Sequence, residues 1–190
     1  MKQQDLLELD DRLRKLKSEG LVDCAEILRG ELTAFSSKEW KLSIYSMLGI
    51  ELQSQRRFEE AESVIRERIS LAPEMPDPWI SLAVHFFNYA HDPKEALNAI
   101  NVALERASTE RNFFRQAHLE RIRIALALKD YSTVEESLLE LINYVPPSNS
   151  LDVQLETEFL ARISKSTVSE SLISAYREKV QSEARRGSIR

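Results

Sequence analysis

Apolar residues recur at three- and four-residue intervals along almost the whole chain, the spacing of one face of an α-helix. Leu6, Leu9, Leu13 and Leu16 stripe a first predicted helix that Gly20 closes, and Val22, Ala25, Leu28, Leu32 and Phe35 stripe a second. Polar start signals stand before the later stripes. Ser36 with Glu39 three residues on is a capping-box pattern for a helix beginning near Trp40. Asp77-Pro78 and Asp92-Pro93 each place a capping side chain before a proline, whose missing N–H costs nothing at the first helical position. Ser132 with Glu135 marks another start. After Pro146-Pro147, Asn149 or Ser150 can cap a helix carrying Leu151, Leu155, Phe159 and Ile163. Thr167 with Glu170 caps the last, striped by Val168, Leu172, Ala175, Tyr176 and Val180. The pattern predicts an all-α fold of about ten helices in pairs, with short connections and no strand signal.

So regular a beat calls for a search for internal repeats. A small residue near the start of each second helix is the marker. Ala25, Ala61 and Ala96 are 36 and 35 residues apart, and Val134 follows 38 later. Helical periodicity alone does not produce a recurrence near 35.

With these residues in place the chain resembles the tetratricopeptide repeat (TPR) family, whose 34-residue unit follows W-x2-L-G-x2-Y, then A-x3-F, then P. Tyr45, Leu48, Gly49 and Leu52 take the first-helix positions of one unit, and Ala61, Ile65 and Pro73 follow at the family's spacing. Trp79, Leu82, Ala83 and Phe86 open a second, with Ala96 and Ile100 arriving after a one-residue insertion and Ser108 where proline would stand. A third keeps Tyr131, Val134, Leu138 and Pro146, but His118 and Arg121 fall at its tryptophan and leucine positions unless the register slips by one. The resemblance implies a TPR-like α-solenoid of helix hairpins. Residues 1–41 would form an N-terminal helical pair, 42–75, 76–108 and 109–146 three units, 147–184 a C-terminal pair, and 185–190 a disordered basic tail. An ordinary helical bundle with chance alanine spacing is the alternative.

The resemblance also implies a function. Stacked helix pairs form a concave face that accepts a peptide or helix, and the first-helix positions that line it in the family fall here on Ile50, Gln53, Ile80, Val84, Phe87, Asn88, Leu119 and Arg123. One sub-family reads a C-terminal carboxylate with a Lys, Asn and Arg clamp. The matching positions here are Ser46, Ile50, Ser81, Gln116 and Glu120, which keep none of the basic groups. The expected ligand is therefore an apolar protein segment or amphipathic helix laid in the groove. By architecture alone the chain is also similar to the class II chaperones of type III secretion, which hold apolar stretches of cargo and dimerise through N-terminal helices. That likeness implies a homodimer through residues 1–41.

Composition changes this picture little. With a formal charge of -5 and a pI near 5.4, the chain gives no general electrostatic reason to bind nucleic acid. Cys24 is the single cysteine and, set among Ala25, Ile27 and Leu28, reads as a small buried hydrophobe. The N-terminus turns acidic before an apolar run could make a signal peptide. No window approaches the ~20 apolar residues of a membrane span, so a cytoplasmic protein without membrane insertion is expected. Four scattered glycines make no phosphate-cradling loop, and His85, His91 and His118 share no metal-ligand spacing. No cofactor or metal is predicted and the expected protein is not an enzyme. One alternative is a helical HEPN-like ribonuclease, because Arg111 and His118 fit that group's loose Arg–His spacing. In so arginine-rich a chain one such match arises by chance. A purely structural oligomer without a peptide groove is the other alternative.

Overall fold

The computed structural model describes residues 3–19, 23–34, 36–107, 111–143 and 168–187. Among the described residues the structure is helical and contains no strand. In chain order the helices are α1 (Gln3–Ser18), α2 (Cys24–Ala34), α3 (Lys38–Ser54), α4 (Phe58–Leu71), α5 (Pro76–His85), α6 (Pro93–Ala107), α7 (Arg111–Leu128), α8 (Tyr131–Asn143) and α9 (Glu170–Gly187). α5 runs on into a π-helical turn, Phe86–Ala90. The helix expected from Leu151 to Ile163, the closing positions Gly20, Ser108 and Pro146, and the Thr167 cap lie outside the described residues.

Several helix starts differ from the sequence expectation by one or two residues. Ser37 rather than Ser36 caps α3: its Oγ accepts from the Trp40 amide at 3.4 Å and donates to Glu39 at 2.7 Å. α5 begins at Pro76, with Met75 as its cap residue, so Asp77 sits inside the first turn. Its carboxylate is drawn instead to the buried Arg68 on α4. Asp130 rather than Ser132 caps α8, accepting from the Thr133 amide at 3.2 Å and from the Thr133 hydroxyl at 2.6 Å. Asp92 caps α6 as expected, accepting from the amides of Lys94 and Glu95. For α3 and α8 the side chain that wins is the one whose oxygen reaches a free N–H of the first turn, whereas α5 starts without a side-chain cap.

Helices adjacent in sequence pack against one another from α1 through α8, α9 packs on α8, and α5 also reaches α7. Among the described residues three apolar cores result. One joins α1 to α4 through Leu9, Leu13, Leu28, Ile44 and Leu48. The central one gathers Ile65, Ile80, Ala83, Ala96, Ile100 and Ile124. The last lies between α7, α8 and α9. On α9 the buried positions are Ile173, Tyr176 and Val180, with Val168 just before the helix, while Leu172 is half-buried and Ala175 exposed. Cys24 is buried with its Sγ toward the Leu13 carbonyl, as its neighbours predicted. α9 runs to Gly187, three residues past the expected end, with its backbone still helical at Arg185 and Arg186.

The 35-residue beat has a structural counterpart. Ala25, Ala61, Ala96 and Val134 are all fully buried. The last three each follow, by five residues, a turn residue with left-handed backbone: Arg56 (φ 62°), His91 (φ 55°) and Lys129 (φ 59°). Around Arg56 and Lys129 the bonds match: Arg57 N–H donates to Leu52 O and Asp130 N–H to Ala125 O, both at 2.9 Å. Such a turn satisfies carbonyls left open at a helix end. It suits glycine, and the three side chains present cost of order 1 kcal/mol each. Arg56→Gly and Lys129→Gly should therefore each stabilise the protein by about 0.5–1 kcal/mol in denaturant melts. Arg57 in the neighbouring position, bonded to Glu60 and Asp23, should be left untouched as an internal control.

The spacing of these turns is also regular. His118 precedes Lys129 by the eleven residues that separate Tyr45 from Arg56. In the second pair the corresponding interval, Trp79 to His91, is one residue longer. The π-helical turn absorbs that residue: the Asp92 N–H bonds to Phe86 O at 2.9 Å, and the His91 N–H reaches the same oxygen. A single-residue insertion widens one helical turn instead of lengthening the loop.

The junction between the first two pairs is built from polar contacts. Pro73 O accepts from the Trp79 indole N–H at 3.1 Å and from Arg106 at 3.4 Å, tying α4, α5 and α6 together. Arg68 is nearly buried and its partner there is Asp77. Asp77→Asn keeps an acceptor but removes the charge opposite a buried cation, and should cost about 1.5 kcal/mol of unfolding free energy in urea titrations.

Candidate functional site

The first helices of the three pairs, α3, α5 and α7, carry the residues expected to line a groove. Beyond apolar core packing, two side-chain contacts among the described residues link these helices and the π-helical turn that extends α5. Gln53 Nε2 on α3 lies 3.2 Å from His85 Nδ1 on α5. On the π-helical turn, the Phe87 ring lies beneath the Arg123 guanidinium of α7, 4.9 Å from ring centre to Cζ. The structure thus brings Phe87 and Arg123 together directly and links Gln53 to the same helix.

The remaining expected residues divide by burial. Ile50 is 65% exposed, an unusual state for so large an apolar side chain. Asn88 is exposed on the π-helical turn. Val84 is half-buried against the central core and Leu119 against the core of α7, α8 and α9. Ile80 is a correction to the sequence reading. Only 2% exposed, it belongs to the central core and presents no surface to a partner. It occupies a groove position by spacing, but the close approach of α6 and α7 to α5 turns that face inward.

Electrostatics sharpen the α7 end. Arg123 pairs with Glu120 one helical turn away at 2.7 Å. Burial pushes the Glu120 carboxyl above its usual range, with Arg123 opposing the shift. An i,i+3 pair of this kind is visible in sequence, although it carries no sign of its position over an aromatic ring. Arg121 lies on the same helix. It extends along α8, donating to the buried Ser137 hydroxyl and to Glu136, each at 3.1 Å. An arginine can be half-buried this way, its stem packed and its head bonded.

His85 is a packing residue, 1% exposed. His91 takes the left-handed turn position on the surface. His118 is 5% exposed, its ring 4.4 Å from that of Phe114. Burial, then the Arg121 charge, depresses its pKa to about 4, so it is neutral near pH 7. The Arg111 side chain lies outside the described residues. An open depression of about 500 Å³ between α3 and α4 is bordered by Lys41, Tyr45, Arg66 and Glu67. Its arginine is already paired with Glu62 at 2.9 Å. Among the described residues no group of three or more His, Cys, Asp or Glu side chains is placed to hold a metal ion. None of the described helices is long and apolar enough to cross a membrane.

No protein-family model matches the chain, and no curated protein matches it.

Proposed function

We propose that the chain is a TPR-like solenoid that works, without catalysis, as an adaptor, scaffold or chaperone. Its ligand is an apolar segment or amphipathic helix of another protein, held along α3, α5 and α7. The observation that carries this reading is the Phe87–Arg123 stack, together with the exposure of Ile50 on α3. Protein interfaces concentrate aromatic and arginine side chains at their centres and are depleted of other charges there. Along this line Ile50, Gln53, Val84, Phe87, Asn88 and Leu119 are uncharged, and the one cation is Arg123. Support for the solenoid comes from the recurring left-handed turn, the buried small residue five positions later and the α5–α7 contact.

The test is a binding screen of the full chain against a display library of helical and extended peptides, followed by titration of the hits. Ile50→Ala should lower affinity at least about 5-fold, the worth of about 1 kcal/mol of lost apolar contact. Its melting temperature should stay near that of the wild type, since the side chain is exposed. Hits that bind Ile50→Ala and Arg123→Ala as tightly as the wild type would place the ligand elsewhere.

A further inference from the structure

We propose that His85 is a proton-operated latch across the α3–α5 joint, its neutral ring tying Gln53 to the start of the π-helical turn. The imidazole is fully enclosed, and its Nδ1 lies 3.2 Å from Gln53 Nε2. An amide nitrogen can only donate, so this bond requires Nδ1 unprotonated and the ring proton on Nε2. Protonation places two donors face to face. The bond is lost, and a cation is left in an apolar enclosure.

The surroundings cushion that charge only in part. Tyr89 and Phe86 hold the ring at centroid distances of 5.8 and 6.2 Å, and Phe58 from α4 stacks on Tyr89 at 5.2 Å. From α4, Glu62 and Glu59 attract the imidazolium while Arg66 repels it, and Arg66 also lies 5.7 Å from the Phe86 ring centre. From α3 the facing group is the neutral Gln53. The residues of α6 in this core, Ala96, Ala99, Ile100 and Ala103, do not titrate. On α7, Arg123 with its Glu120 stands over Phe87, two residues along. Burial dominates this balance and holds His85 below the ordinary histidine range. The joint is closed at neutral pH and loosens on acidification, at the place where the inserted residue has already widened the α5 backbone.

The experiment needs no ligand, so its failure is separable from failure of the groove reading. In a His118→Gln background, which removes the other buried histidine, the His85 ring is followed by NMR from about pH 7.5 to about pH 4.5. Amide exchange is measured alongside, corrected for its intrinsic pH dependence. Exchange protection at the end of α3 and through Phe86–Ala90 should fall about tenfold as His85 titrates. Protection of α8 should hold. Gln53→Glu, nearly the same shape, offers the imidazolium an acceptor and should keep the joint closed over the same range. Should the Gln53 amide simply rotate, or should His85 fail to titrate before the whole chain unfolds, protection would not fall locally and the latch would be disproved. An equal loss of protection in Gln53→Glu would disprove it as well.

Discussion

Ile80→Ala should lower the unfolding free energy by about 3 kcal/mol, the middle of the range for an isoleucine truncated in a packed core. For a chain of this size that is a fall of roughly 6–12 °C in melting temperature. The reason is position. Ile80 lies in the central core with Ala83, Ala96, Ile100 and Ile124, where small residues have already drawn the helices together and little slack remains to fill a void. Phe87→Ala should cost less, about 1–2 kcal/mol, because its ring is half-buried and loses one cation–π contact with Arg123. Ile50→Ala should change stability by no more than about 0.5 kcal/mol. Chemical denaturation of the three variants checks the order. A mild Ile80→Ala would mean that α5 is not clamped between its neighbours as described.

Acidification should cost the wild type about 3 kcal/mol between pH 6.5 and about 4 through His118 alone. In the unfolded chain this histidine takes up a proton near 6.5, whereas burial delays uptake in the native state until about 4. Across that window the unfolded state binds more protons, so stability falls as pH falls and is fully present above the window. His85, also held low by burial, acts in the same direction. The capping carboxylates Asp23 and Asp130, held low chiefly by hydrogen bonds from Gln55 and Thr133, add a loss only at more acidic pH. Glu120 opposes the trend, since burial favours its protonated form. Urea titrations at stepped pH measure the slope. His118→Gln should flatten it between pH 6.5 and 4.5 while leaving the more acidic limb. An unchanged slope would show that His118 is protonated in the native state.

Most of the helices were legible before any coordinates, because their apolar stripes are long and their caps are written in Ser, Asp and Pro. The errors were local. At Ser36 and Ser37, or Asp130 and Ser132, two capping candidates lie within two residues of each other, and only the carbonyl and amide positions choose between them. Asp77 read as a cap and proved to be the partner of Arg68, a residue nine positions earlier whose burial no spacing announces. The one-residue insertion was visible between Trp79 and Ala96, but not its placement in a π-helical turn.

The groove residues show the same division more sharply. Sequence spacing assigned Ile50, Ile80, Val84 and Phe87 to one line, since all four are large, apolar and similarly placed on first helices. Tertiary packing separated them, exposing Ile50, half-covering Val84 and Phe87, and enclosing Ile80. The sequence by itself determined that the chain is helical and which small residues recur, because these depend on contacts within a few residues along the chain. Which apolar side chains face solvent, which histidines are kept from protons, and that Arg123 lies over Phe87 were decided only by the packing of α3, α5, α6 and α7. Burial is set by neighbours from distant segments, and a stripe of apolar residues looks the same whether another helix covers it or water does.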